Sequence, residues 1–160
     1  MQSVEYYLGE YARDHQDPLN KGFHRVCVPL IVVSLLGLLW SIPVPAAFAG
    51  LGRFANWATA FVFAAMLYYL WLSPRMALGM LPVVAICLLL VDLLGTLAWP
   101  LWQTCAAIFV VAWIGQFIGH AAEGKRPSFF RDLRFLLIGP LWVLAGIYRK
   151  LGIAVPEGVD

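Results

Sequence analysis

The chain has 160 residues, is 62% hydrophobic and only 12% charged, and carries a net charge of +2. That charged fraction is half the roughly 25% of an ordinary soluble domain, and a mean hydropathy of +0.80 points to a protein solvated by a bilayer. A soluble enzyme is excluded, and so small a charge excess implies no nucleic-acid partner.

Residues 1–20 are polar and lack an apolar core, so they do not read as a signal peptide; the first membrane segment would act as its own insertion signal. Met1 to His15 reads as a short helix with Tyr7, Leu8 and Tyr11 at helical spacing, lying on the membrane surface. Asp17-Pro18 has the form of a helix start, with Asp as N-cap and Pro as first helical residue. In the helix that follows, Asn20 and His24 are four apart and share a face.

Crossing a bilayer core takes about 20 predominantly apolar residues. Runs of that kind lie at about 26–42, with Pro29 in its first turns, at about 54–72, at about 76–99 and at about 101–119. A fifth apolar piece, within about 133–148, is short and interrupted by Gly139-Pro140, which suits an interfacial or re-entrant segment. Cys27, Cys87 and Cys105 all fall in apolar runs without a Cys-x-x-Cys pair and read as small buried residues. Trp99, Trp102, Trp142 and Tyr148 read as interfacial belt residues. The expected fold is all-α: a polytopic membrane helix bundle of four transmembrane helices, with an N-terminal amphipathic helix and a C-terminal interfacial or re-entrant one. Residues 1–160 would form a single membrane domain.

Charge distribution orients these spans. With four crossings, one side collects Arg13, Lys21, Arg25, Arg75, Lys125, Arg126, Arg131, Arg134, Arg149 and Lys150, and the other holds Arg53 alone. Lys and Arg excess marks the cytoplasmic side, so both termini are expected there, in an inner (cytoplasmic) membrane. Asp92, at ~1.5 Å per residue, lies roughly 24 Å along its span from Met76 and reads as a structural residue that caps or pairs near the outer surface.

The chain has three histidines, His15, His24 and His120, all at borders between polar segments and apolar runs. An even number of spans returns the chain to the face it left, so His120 should emerge beside the other two. Gln116, His120 and Glu123 share one face of the last span, as Asn20 and His24 do on the first. Neutral imidazoles suit Fe, Zn, Cu or Ni, and ligating histidines usually donate their second N–H to a carboxylate, amide or carbonyl. Asp14, Asp17, Asn20, Gln116 and Glu123 are candidates for that role, with Glu123 also a candidate fourth ligand. A lone interfacial histidine is more often structural; three of three, each with a polar neighbour one turn away, favours a metal centre on the cytoplasmic side. The run from Lys125 to Arg134 is either a positive-inside anchor or a holder for the carboxylate or phosphate of an amphiphile.

Two segments together carry a resemblance: Tyr11-x-x-x-His15-x-x-x-x-Asn20-x-x-x-His24-x-x-x-x-Pro29, and much later Gln116-Phe-Ile-Gly-His120-x-x-Glu123 with Arg126-Pro127. They resemble the small membrane family typified by the fungal 2-hydroxy-palmitic acid dioxygenase, in the right order and over most of the chain. The resemblance implies an Fe(II)-dependent dioxygenase of fatty-acid α-oxidation, shortening 2-hydroxy fatty acids by one carbon with O2 and no 2-oxoglutarate. It implies His15, His24 and His120 as iron ligands, with Asn20, Gln116 and Glu123 as catalytic residues beside them. Lys125 or Arg126 would hold the substrate carboxylate, Tyr7 and Tyr11 would line the substrate site, and the tail would enter from membrane lipid. The family pattern has aromatics before the glutamate and alanine after the proline, where this chain has Ala121-Ala122 and Ser128; substrate chain length therefore stays open, as does oligomeric state. Two other classes compete: another membrane metalloenzyme such as a zinc lipid hydrolase, and a non-enzymatic small membrane protein with structural histidines. Stoichiometric zinc without oxygen uptake would mark the first, and no bound metal with tolerance of His24→Gln the second.

Overall fold

A computed structural model describes residues 3–124 and 135–155. Helix α1 spans Val4–Arg13, capped by the Ser3 hydroxyl, which accepts from the Tyr6 N–H. A further hydrogen bond with Ser3 holds the Glu5 carboxyl below the usual carboxylate range. The buried residues Val4, Leu8, Tyr11 and Ala12 recur at helical spacing, and this stripe packs against the last helix, α7.

Helix α2 runs Pro18–Trp40. Asp17 caps it: one carboxylate oxygen accepts from the N–H groups of Leu19 (2.8 Å) and Asn20 (3.1 Å), the N2 and N3 positions where a helix has orphan donors. The helix thus begins eight residues before the apolar run read from sequence, and the extension carries Asn20 and His24. Pro29 stands inside it and removes one rung of the hydrogen-bond ladder.

After the short helix α3, Ala46–Ala49, α4 spans Trp57–Leu72 behind an Asn56 cap. Ser73 ends α4 and caps α5, Pro74–Leu94, with Pro74 at the first helical position. That single linking residue turns the chain back, and α4 and α5 pack together. Helix α6 spans Leu101–Ala122 and α7 spans Ile138–Lys150. The expectation of an all-helical membrane-type architecture holds. Three helices, α2, α5 and α6, are long and apolar enough to cross a membrane. The fourth expected span is the 16-residue α4, which rises about 24 Å against a hydrocarbon core of about 30 Å.

Gly139-Pro140 does not interrupt the last apolar segment. It lies in the first turn of α7, where a proline's missing N–H has no intrahelical partner to lose. Residues 125–134, with Lys125 and Arg126 among them, lie outside the described residues.

By contacts the chain forms two compact units, residues 1–29 with 112–160, and residues 30–111. The second is built on a core of Val33, Leu36, Ala58, Cys87 and Val91. There the Asp92 carboxylate pairs with Arg53 at 3.0 Å, as an acid set among apolar residues is met by a cation. All three cysteines are free and buried. Many large apolar side chains of α4, α5 and α6 face outward, including Phe63, Leu67, Trp71, Leu78, Leu89 and Val111. Such a surface suits lipid rather than water.

Candidate metal centre

The first unit brings all three histidines together. His15 follows α1, His24 lies nearly two turns into α2, and His120 lies in the last turn of α6. They are 2%, 2% and 6% exposed, and one potential ligand nitrogen from each lies within 4.8 Å of the others. Among the described residues no other group of His, Cys, Asp or Glu converges in this way.

The hydrogen bonds decide which nitrogens face inward. His15 Nδ1 lies 2.6 Å from the Tyr11 carbonyl, and His24 Nδ1 lies 3.1 Å from the Asn20 carbonyl. A carbonyl only accepts, so both Nδ1 atoms carry the proton and both Nε2 atoms present lone pairs. Those two Nε2 atoms are 2.8 Å apart. Two lone pairs at that distance repel unless a proton or a cation sits between them, and the third imidazole supplies what a single shared proton does not need. A backbone carbonyl fixing the tautomer of a ligating histidine is the usual second layer of a metal site. The donor set therefore fits a borderline transition metal.

Glu123, one turn beyond His120, ties the histidine-bearing segments to one another. One carboxylate oxygen accepts from the Gln16 N–H (2.6 Å), the other from Asn20 Nδ2 (2.5 Å). Gln16 adjoins His15, and Asn20 holds His24 through its own carbonyl. Asn20 is fully buried, and Asn20 Oδ1 and Gln116 Oε1 are buried acceptors with no hydrogen-bond partner among the described residues.

Of the two tyrosines, Tyr11 belongs to the centre: its ring stacks on His15 at 4.2 Å and contacts His24, Phe135 and Trp142. Tyr7 is half-buried and lies edge-on to Tyr6. Trp142 is a correction to the belt reading. It is only 4% exposed, with its ring 5.5 Å from Tyr11 and 6.1 Å from His15, because α7 packs on α1 through this side chain. Trp99 and Trp102 are exposed.

A glycine pair sets how closely α6 approaches α2. A Cβ at Gly119 would lie 2.6 Å from Asn20 Oδ1 and 3.2 Å from Phe23 Cβ, and one at Gly115 would lie 2.6 Å from Cys27 Sγ. Gly115-x-x-x-Gly119 is the small-residue spacing that lets membrane helices meet at close range. The spacing is legible in the sequence alone.

A family profile described as "2-hydroxy-palmitic acid dioxygenase Mpo1-like" matches residues 1–151, which include every residue of this centre. The chain belongs to the Mpo1-like family. It is similar to the 2-hydroxy-palmitic acid dioxygenase MPO1 of Saccharomyces cerevisiae, at 26% identity over 148 residues, 91% of this chain and 79% of the yeast protein. No solved structure matches.

Proposed function

We propose that this Mpo1-like protein is an Fe(II)-dependent membrane dioxygenase that shortens 2-hydroxy fatty acids by one carbon. The observation that carries the reading is the pair of Nε2 lone pairs facing each other at 2.8 Å beside a third buried imidazole. Family membership favours iron over zinc and a 2-hydroxy acid over other lipids. One O2 balances the reaction: the acid gives an acid one carbon shorter, carbon dioxide and water.

His15, His24 and His120 would hold the iron, which when bound supplies oxygen activation and open positions for an α-hydroxy carboxylate. The chain's own residues set the conditions. The carbonyls of Tyr11 and Asn20 hold the imidazoles in the tautomer that offers Nε2. Glu123 fixes the histidine segments relative to one another as a positioning residue, since both its oxygens are engaged by Gln16 and Asn20. Gln116 Oε1, a buried acceptor one turn from His120, is offered to the substrate's 2-hydroxyl proton. Tyr11, Phe135 and Trp142 wall the centre and keep bulk water from it. The alkyl tail lies in membrane lipid.

The reading extends to topology. Four crossings, with α4 returning the chain that α5 carries, put both termini and the centre on the cytoplasmic side of an inner membrane, where the sequence has ten of its eleven Lys and Arg.

The test is metal analysis of anaerobically purified protein, with oxygen uptake on 2-hydroxyhexadecanoate. Wild type should hold about one iron per chain and consume oxygen. His120→Ala should lose both the iron and the uptake. Zinc in place of iron with no uptake, or His120→Ala that is folded, iron-replete and active, would sink the proposal.

A further inference from the structure

Tyr11 holds His15 in two ways at once. Its carbonyl lies 2.6 Å from His15 Nδ1, and its ring stacks on the imidazole, with centroids 4.2 Å apart and planes 14° from parallel. The first contact sets the tautomer. The second sets the plane of the imidazole, and with it the line along which Nε2 points at the other two histidines. An imidazole that gives its lone pair to a dication takes on positive charge, and the π face of a tyrosine favours such a charge beside it. The stack therefore helps the metal-bound state more than the empty one.

The far end of the same side chain reaches α7. Tyr11 is 6% exposed, with Phe135 at 5.8 Å and Trp142 at 5.5 Å between ring centroids. Its hydroxyl lies against Gly139 in the first turn of α7: a Cβ there would come 3.2 Å from the hydroxyl oxygen. The next atoms that Cβ would meet, the Val28 methyl groups at 3.4 and 3.6 Å, stand at ordinary contact distances. Glycine thus leaves the room that the hydroxyl occupies. A ring packed on His15 and flanked by two aromatics does not yield at its hydroxyl without tilting, because close-packed interiors transmit strain.

We propose that Tyr11 is a positioning residue for the metal centre, passing the seating of α7 at Gly139 on to the imidazole of His15. The inference rests on the function proposed above. It adds a residue that acts through His15, and a helix, α7, that supplies no histidine yet sets the geometry of one.

The experiment titrates the full chain in detergent with Co(II), read by its visible absorption bands, and with Fe(II) in competition with a chelator. Gly139→Ala should bind both metals about 10-fold more weakly, the low end of what losing a ligand's support costs, and should shift the Co(II) bands. Tyr11→Phe/Gly139→Ala should recover most of that affinity and the wild-type bands, since the oxygen in the way is gone while the stack remains. Tyr11→Leu, which keeps the carbonyl and loses the stack, should bind about 10- to 100-fold more weakly. Gly146→Ala is the control within α7: a Cβ there meets nothing within 4 Å, so both metals should bind as in wild type. Should Tyr11→Leu misfold, Gly139→Ala and its rescue still decide the matter. Unchanged affinity and bands in Gly139→Ala, or no recovery when Tyr11→Phe is added, would overturn the proposal. So would a Gly139→Ala chain that melts earlier but keeps wild-type bands, since that is the mark of a purely structural contact. A wild-type chain that takes up neither metal would defeat the metal reading itself. Metal binding without oxygen uptake would defeat only the dioxygenase reading, because affinity and bands are scored without turnover.

Discussion

At the scale of single residues, the centre depends on side chains that hold other side chains. The sequence offers Glu123 as a supporting partner, a catalytic residue or a fourth ligand; in the structure its two oxygens accept from the Gln16 N–H and Asn20 Nδ2. That geometry makes a specific prediction. Glu123→Gln keeps the size of the side chain but presents an amide NH2 where one of two donors needs an acceptor. Loss of such a supporting partner typically costs 10- to 100-fold in metal affinity. Iron affinity, measured by competition with a chromogenic chelator, should fall by about that factor while the far-ultraviolet helical signal is unchanged. An unaltered affinity would remove Glu123 from the positioning role. The histidines themselves were legible in the sequence because their number is small and all three sit at span borders. Glu123's partners were not, because a contact across more than 100 residues follows from packing and leaves no local spacing to read.

At the scale of helices, the local signals of termini were readable and the close approaches were not. Asp17-Pro18 marks the start of α2 through side-chain chemistry that acts over three residues, so reading it needs no tertiary knowledge. Gly139-Pro140 misled because the same dipeptide breaks a helix in its interior and opens one in its first turn. Trp142 misled because an aromatic near a polar segment looks alike whether it faces lipid head groups or a stacked tyrosine. The Gly115-x-x-x-Gly119 pair makes the helix-scale prediction. Gly119→Ala forces a methyl group to within 2.6 Å of Asn20 Oδ1, and overpacking of this kind costs about 1–3 kcal/mol. It should lower the melting temperature and also the iron occupancy, since Asn20 carries the carbonyl that orients His24. Gly22→Ala is the control: a Cβ there meets nothing within 4 Å, and replacing a helical glycine stabilises by about 0.5–1 kcal/mol. If Gly119→Ala holds iron and melts as wild type does, the glycine pair does not govern the site.

For the whole molecule, the consequence lies in how the two compact units share the load. Every residue of the histidine centre belongs to residues 1–29 and 112–160, and none to residues 30–111. The first unit places buried polar groups where a membrane protein ordinarily has apolar ones, including the fully buried Asn20 and the paired Nε2 atoms of His15 and His24. Its stability should therefore depend on the metal, because a ligand bound only by the folded state stabilises it by RT ln(1 + [L]/Kd), about 2.7 kcal/mol at a hundredfold excess over Kd. The second unit is held by apolar packing around Leu36 and Val91 and by the Arg53–Asp92 pair, which owe nothing to an ion. Chelation should act on them unequally. In hydrogen–deuterium exchange followed by mass spectrometry, metal removal should raise exchange in peptides covering residues 12–24 and 116–124. Peptides from α4 and α5 should exchange as before. Exchange rising uniformly across both sets would mean that the metal supports the fold as one cooperative body. No change in either would mean that the three histidines are held together without it, and the metal reading would fail with them.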